Sequence, residues 1–149
     1  MNFSINHIPE RTKTPRNDGV TMVMDKGLSI RQVEDMISSS SKYIDIVKLG
    51  FGTAYLTENL EKKIKLYQEA NFRVYFGGTL FESFIARDMF KEYKELVHRY
   101  QLDTVEVSDG CITLDHEKKC EYINQDLRAN RILANIVCQA DTQQRPNLH

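Results

Sequence analysis

Short apolar runs, each closed by a charged or hydroxyl residue beside glycine, recur along this chain and constrain its fold more than any other feature. The first run covers residues 20–24 and is followed by Asp25, Lys26 and Gly27. Runs of the same kind lie at residues 44–48, 72–76 and 104–107. Because these runs are short, rich in β-branched and aromatic residues and bounded by glycine, they are typical of buried strands rather than helices.

The segments between the runs are long enough to hold helices, so the chain alternates between strand and helix along most of its length. This alternation predicts an α/β fold with a parallel sheet, because parallel strands need crossover connections. We expect one strand from each run, including the run at residues 104–107, in sequential order and with right-handed crossovers.

Apolar residues at helical spacing occupy the intervals between the predicted strands. Ser29, Asn59 and Asp115 are expected to cap three of the helices, since their side chains can accept hydrogen bonds from free backbone amides. The spacing also predicts one long helix near residues 81–100. Three lysines of the second helix are expected to form a solvated face, as charged residues usually do: Lys62, Lys63 and Lys65.

The composition excludes several classes of function. With 149 residues, of which 41% are hydrophobic and 28% charged, the chain can form a single soluble domain with a sizeable core. A net charge of −1 gives no broad basic face for nucleic acid, and no apolar run approaches the roughly 20 residues of a membrane helix. We therefore expect no nucleic-acid or membrane partner and a cytoplasmic location. The cysteines are odd in number and lack metal-ligand spacing, which predicts reduced structural thiols: Cys111, Cys120 and Cys138.

Polar residues follow each predicted strand, and the carboxyl ends of parallel strands meet at one edge of a sheet, where ligands bind. Lys26 and Lys48 can hold an anion such as phosphate, carboxylate or sulfite there. Gly77, Gly78 and Thr79 lead into a helix, whose free amides and threonine hydroxyl could bind a phosphate. The alternative is that the lysines form plain salt bridges at a polar rim and that the glycines only serve turns.

Three acidic residues end or follow the predicted strands, and their carboxylate oxygens suit Mg²⁺ held jointly with a substrate phosphate: Asp25, Glu106 and Asp109. Glu106 is the most informative of them, because it lies between Val105 and Val107 inside an apolar run. A carboxylate buried in a strand costs several kcal/mol unless it is paired or bound to a ligand. The pattern indicates chemistry on a small anionic substrate, with a metal stabilising developing negative charge.

Four stretches, in order and spacing, resemble the phosphosulfolactate synthase family: residues 25–28 (DKGL), 43–53 (YIDIVKLGFGT), 74–82 (VYFGGTLFE) and 105–110 (VEVSDG). The resemblance covers roughly residues 19–125. It implies a TIM-barrel type of fold, with about the first four of eight (β/α) units present, since a complete barrel needs about 250 residues.

The resemblance also implies an activity. The family is a lyase that adds sulfite to phosphoenolpyruvate, giving (R)-2-phospho-3-sulfolactate with Mg²⁺, at the start of one route to coenzyme M. Sulfite attacks the methylene carbon, the metal stabilises an aci-carboxylate, and a lysine protonates it. Carried over to this chain, the resemblance makes Lys26 and Lys48 anion-binding candidates and places the 77–79 segment at the same rim. It makes Glu106 and Asp109 metal or substrate ligands.

The expected organisation is an arm at residues 1–19, half of a (β/α)₈ barrel at 20–125, and a divergent tail at 126–149. The tail could extend the last helix through 126–137, or 132–137 could be a fifth strand, with disorder after residue 140. The family's protonating lysine lies in a segment that residues 124–149 do not resemble, so the catalytic residue is unassigned. We therefore expect a truncated or frame-shifted member that self-associates through open sheet edges and has little synthase activity. The alternatives are a non-enzymatic relative similar to the plant heat-stress-associated protein, and a half-barrel that acts only by association.

Overall fold

A parallel three-stranded sheet forms the centre of the chain. The computed structural model describes residues 5–16 and 18–129. The strands are β1 (Met22–Asp25), β2 (Ile46–Leu49) and β3 (Arg73–Phe76). They lie in the order β1-β2-β3, and both neighbouring pairs are parallel. The structure therefore confirms the α/β class and the sequential parallel order for these three strands.

Among the described residues, α-helices follow each strand: α1 (Ile30–Ser40), α2 (Leu60–Glu69), α3 (Gly78–Ile85), α4 (Phe90–Arg99) and α5 (His116–Ala129). Ser29 caps α1 as expected, because its hydroxyl accepts from the Gln32 N–H while the Gln32 side chain accepts from the Ser29 N–H. Asn59 precedes α2, but its side chain makes no capping bond there. Its backbone is left-handed, with φ of 56°.

The prediction of one helix over residues 81–100 is wrong, since α3 and α4 are separate. Between them Asp88 has φ of 56°, which a continuing right-handed helix cannot contain. The Met89 N–H donates to the Phe84 carbonyl and closes the turn. The apolar stripe nevertheless faces the core: Phe81 and Tyr93 are buried and pack edge to face, with ring centroids 5.4 Å apart.

The fourth strand, expected at residues 104–107, is also absent from the described sheet. Thr104 to Ser108 are buried but carry no strand ladder to β3. Side chains hold the segment instead: Glu106 pairs with Lys48, and the Ser108 hydroxyl donates to Glu82. An apolar pattern reports that a segment is buried, whereas strand pairing also needs a neighbour in register.

The two faces of the sheet differ in what covers them. Residues in register point to the same face, and successive residues along a strand point to opposite faces. The row Val23, Val47 and Val74 lies against the helices, in a core that includes Val33, Ile64, Tyr67 and Val97. The row Met24, Lys48 and Tyr75 therefore points to the opposite face.

The later part of α5 continues to Ala129, in line with a helix that extends past residue 125. The alternative strand at 132–137, Cys138 and the segment after 140 lie outside the described residues. Within the described ranges, no helix combines the length and apolar character that crossing a membrane requires.

The described part of the N-terminal arm is fastened to the amino ends of β1 and β2. Arg16 donates to both carboxylate oxygens of Asp45, at 2.7 and 2.8 Å, and the Thr21 N–H donates to the same carboxylate at 2.8 Å. Burial tends to raise the pKa of Asp45, but the Thr21 bond and Arg16 outweigh it, and the pKa lies below its usual value. The Arg16 side chain is 3% exposed, so this buried ion pair attaches the arm to the sheet.

We expect Asp45→Asn to lower the free energy of unfolding by about 1–3 kcal/mol, because Arg16 loses a charged acceptor inside the fold. Urea denaturation measures the change. Glu61→Gln is the control, since the Glu61–Lys65 pair has a short contact of 2.7 Å but both side chains are 62% exposed. Equal, small losses of unfolding free energy in the two variants would show that the Arg16–Asp45 pair adds nothing to stability.

Candidate functional site

Lys48 and Glu106 form an ion pair at the carboxyl end of β2. The Lys48 Nζ lies 2.9 Å from Glu106 Oε1, to which it donates a hydrogen bond, and 2.8 Å from Oε2. The contact to Oε2 is close but lacks hydrogen-bond geometry. The Glu106 side chain is 2% exposed and that of Lys48 is 16% exposed. Solvent thus reaches part of the Lys48 side chain, whereas the Glu106 carboxylate is enclosed.

Tyr75 joins this pair, and sequence reasoning did not single it out. It lies beside Lys48 in the β2–β3 register and close to the Glu106 carboxylate. Burial, then the Glu106 charge and hydrogen bonding, raise the pKa of Tyr75 to about 12. The phenol therefore stays protonated at neutral pH. We call Lys48, Tyr75 and Glu106 the Lys48 cluster.

Gly77 and Gly78 bring the start of α3 directly onto the Lys48 cluster. A Cβ on Gly77 would stand 2.9 Å from the Lys48 Cε and 3.0 Å from the Leu49 carbonyl oxygen, and one on Gly78 would stand 2.6 Å from the Ser108 Cβ and 2.8 Å from Glu106 Oε1. The backbone of Leu49 and the Cβ of Ser108 cannot move aside easily, so glycine is required by close approach rather than by a turn. The positive end of the α3 dipole therefore lies next to the cluster, and no side chain caps the first turn of the helix.

The loops after the three strands meet at the same edge. A Cβ on Gly27 would lie 3.9 Å from the Thr53 methyl group, and a Cβ on Gly52 would lie 3.9 Å from that of Thr79. Thr79, at the start of α3, is exposed, and so is Lys26. The structure thus places the loop that carries Lys26 and the loop that follows Lys48 and β2 next to the 77–79 segment.

Asp25 lies apart from this group. Its register partners Leu49 and Phe76 belong to the helix-facing core, so Asp25 points away from the face that carries Lys48. Its carboxylate is fully buried and accepts four hydrogen bonds, from the Gly27 and Leu28 amides at 2.7 Å and from Lys63 and Tyr67 at 2.9 Å.

Lys63 corrects the expectation of a solvated lysine face on α2. Lys62 and Lys65 are exposed, but Lys63 is 1% exposed and pairs with Asp25. The sequence held one signal for this: Lys63 precedes Ile64 and lies four residues before Tyr67, so it falls on the buried side of the helix. Burial and the charge of Asp25 raise the pKa of the Tyr67 phenol. The phenol therefore keeps its proton and donates a hydrogen bond to the Asp25 carboxylate.

Glu82 is a second buried acid that sequence reasoning missed. It is 3% exposed and accepts from the Gly110 N–H at 3.1 Å, from the Cys111 N–H at 2.6 Å and from the Ser108 hydroxyl. The charge of Glu82, its hydrogen bond and burial raise the pKa of the Cys111 thiol. These bonds fix the backbone that follows Glu106 and so hold the Lys48 cluster in place.

The three acids proposed as magnesium ligands do not converge. Asp25 pairs with Lys63, Glu106 with Lys48, and Asp109 with Lys119 through a contact of 2.7 Å. Among the described residues there is no group of three or more His, Cys, Asp or Glu side chains placed to hold a metal ion. Each of the three acids thus has its own lysine partner, and the magnesium site, which would be held jointly with a substrate phosphate, stays a sequence prediction.

The Asp25–Lys63 pair generates a stability prediction. We expect Lys63→Met to cost about 3–5 kcal/mol, because it leaves a buried carboxylate without its counter-charge. The double variant Lys63→Met/Asp25→Asn should recover part of the lost unfolding free energy, since neither charge then remains. Urea denaturation gives the free energies. Lys65→Met, on the exposed side of the same helix, is the matched control and should change little.

The same pair predicts sensitivity to acid. Burial tends to raise the pKa of Asp25, but its hydrogen bonds outweigh burial and hold the pKa below its usual value. The stability from Asp25 is therefore present above pH about 4 and is lost as the pH falls through the lower folded-state pKa. The free energy of unfolding should decline on acidification. A decline just as steep in the Asp25→Asn/Lys63→Met variant would assign the acid sensitivity to other groups, such as Asp45.

Comparison with known proteins gives consistent matches. The profile of the (2R)-phospho-3-sulfolactate synthase (ComA) family matches residues 9–147. This match extends past both ends of the 19–125 range on which the resemblance rests, so it includes most of the tail that sequence reasoning could not relate to the family.

Three curated relatives bear the name phosphosulfolactate synthase. The chain is 35% identical to the Bacillus subtilis protein over 121 residues, which are 81% of the chain and 48% of that relative. It is 35% identical to the Methanothermobacter thermautotrophicus protein over 77% of the chain and 45% of the relative. It is 36% identical to the Methanocaldococcus jannaschii protein over 72% of the chain and 43% of the relative. The chain thus spans about half the length of the curated relatives it matches, and it belongs to the (2R)-phospho-3-sulfolactate synthase family.

Proposed function

We propose that this chain binds the substrate anions of a phosphosulfolactate synthase reaction, in which sulfite adds to phosphoenolpyruvate to give (R)-2-phospho-3-sulfolactate. The observation that carries the proposal is the Lys48–Glu106 pair, pressed against the glycine start of α3 at the carboxyl end of a parallel sheet. Family membership supplies the reaction, and this geometry supplies a place for a small anion.

The Lys48 cluster is suited to hold an anionic substrate. Glu106 is buried behind Lys48 and fixes the direction of its ammonium through contacts of 2.9 and 2.8 Å. Tyr75 lies beside Lys48 in the β2–β3 register, and its phenol keeps its proton, so it adds no negative charge to the site. The Lys48 side chain is partly exposed, and in this proposal its ammonium donates a charge-assisted hydrogen bond to a phosphate or carboxylate oxygen.

The start of α3 supplies the other donors. Its first-turn amides have no side-chain cap, and the exposed Thr79 hydroxyl stands beside them. Free amides and the helix dipole together favour a phosphate group. Gly77 and Gly78 allow the phosphate-binding backbone and the Lys48 ammonium to contact the same small molecule.

The proposed reaction is an addition. The sulfur lone pair of sulfite forms a bond to the methylene carbon of phosphoenolpyruvate, and the π electrons of the carbon–carbon double bond move to C2. The negative charge spreads into the carboxylate, and C2 then takes up a proton. In this proposal the residues around Lys48 bind and orient the phosphate and carboxylate groups, which places the methylene carbon toward the incoming sulfite. The protonating group is assigned to none of the described residues.

Binding of phosphoenolpyruvate tests the proposal. Isothermal calorimetry on the full chain should show binding, and Lys48→Ala should weaken it by about 1.5–3 kcal/mol through loss of one charge-assisted contact. Lys62→Ala is the matched control, because it removes an exposed lysine from α2. Adding sulfite and Mg²⁺ and measuring phosphosulfolactate tests turnover in the same samples. Equal affinities in the Lys48→Ala and Lys62→Ala proteins would make Lys48 a plain rim charge and overturn the proposal.

A further inference from the structure

Phe51 occupies an unfavourable position that packing does not explain. Its backbone is left-handed, with φ of 53°, and Gly52 follows with φ of 69°. Non-glycine residues seldom adopt this conformation, and a large aromatic residue does so at a cost in free energy. The Phe51 side chain is also 63% exposed, so little burial offsets that cost.

A cation–π contact joins the ring of Phe51 to Lys26. The Lys26 Nζ lies 5.5 Å from the ring centroid, within the range of a cation–π interaction. In the described part of the chain Lys26 forms no salt bridge with a carboxylate. The ring therefore orients the ammonium group without neutralising its charge.

This contact lies at the edge that carries the Lys48 cluster. Gly27, next to Lys26, approaches Thr53, and Gly52, next to Phe51, approaches Thr79 at the start of α3. The strained loop therefore stands between the β1 loop and the proposed phosphate-binding turn.

The charge balance of the site makes this second cation significant. The charge of Lys48 is already offset by Glu106, at 2.8 Å. Phosphoenolpyruvate carries more than one negative charge, so a site with Lys48 alone would hold a net anion. Lys26 is the cation at this edge whose charge is not matched by a carboxylate among the described residues.

We infer that Phe51 is a positioning residue that holds the Lys26 ammonium at the edge where α3 begins, as the second cationic contact for a small phosphate-bearing anion. This role rests on the proposed function, because it concerns the same anion site. Lys26 contacts the anion, and Phe51 acts through Lys26. The role explains why an exposed aromatic ring stands at a strained position.

Binding of phosphoenolpyruvate and of inorganic phosphate, measured by calorimetry on the full chain, tests the inference. Phe51→Leu should weaken binding about two- to fivefold, the size of an exposed cation–π interaction expressed as affinity. Phe51→Trp should retain wild-type affinity, because it keeps an aromatic face. Tyr55→Leu is the control: Tyr55 is 83% exposed in the same loop, and no cation of the described residues lies over its ring.

Two further variants separate positioning from a general structural effect. In a Lys26→Ala background, Phe51→Leu should cause no additional loss of affinity, since its effect passes through Lys26. Phe51→Gly should weaken binding while thermal stability stays equal or rises, because glycine accepts the left-handed backbone. A merely structural role for Phe51 would lower stability and affinity together.

The outcomes also separate this inference from the proposed function. Absence of phosphoenolpyruvate binding in the unmodified chain would overturn both. Loss of binding in Lys48→Ala with wild-type affinity in Phe51→Leu would leave the proposed function standing and overturn the role of Phe51. A Phe51→Leu effect that persists undiminished without Lys26 would also overturn it, and would indicate that the exposed ring contacts the anion or another molecule directly.

Discussion

The buried carboxylate of Glu106, matched by the ammonium of Lys48, is the interaction on which the functional edge of this fold depends. The segment that carries Glu106 has no backbone ladder to β3 in the described structure, so side-chain bonds determine where it lies. A carboxylate that is 2% exposed is tolerated only when charge and hydrogen bonds compensate the loss of water. Lys48 supplies that compensation, and Glu82 fixes the following backbone by accepting from the Ser108 hydroxyl and the Gly110 and Cys111 amides.

Two buried lysine–carboxylate pairs with similar geometry perform different tasks. Asp25 and Lys63 are both enclosed, at 0% and 2% side-chain exposure, and they join β1 to the helix layer. In the other pair, the lysine is partly open to solvent while its acid is closed off. Successive residues of a strand point to opposite faces of the sheet. Asp25, at the end of β1, therefore points into the helix-facing core, whereas Lys48, in register with Met24, points to the other face. Access from solvent, rather than charge, distinguishes the structural pair from the candidate binding pair.

Much of the fold was predictable from local pattern. The apolar runs gave the three parallel strands within about two residues, and Ser29 correctly marked the start of α1. The prediction failed where a local pattern allows two outcomes. The stripe over residues 81–100 is apolar at helical spacing whether the helix is continuous or broken at Asp88. The run at 104–107 is apolar whether it pairs as a strand or is simply buried.

The sequence by itself determined which apolar runs are buried, the parallel order of the three strands and the choice of Lys26, Lys48, Glu106 and the glycines as site candidates. These follow from apolar periodicity and from the position of polar residues after strands, both of which are local. Only the tertiary structure decided which lysine pairs with which acid. Lys63 and Lys65 are two residues apart on one helix, yet one is buried against Asp25 and the other is in solvent. Partners such as Lys48 and Glu106 are far apart in sequence, and only the packing of strands and helices brings them within hydrogen-bond distance.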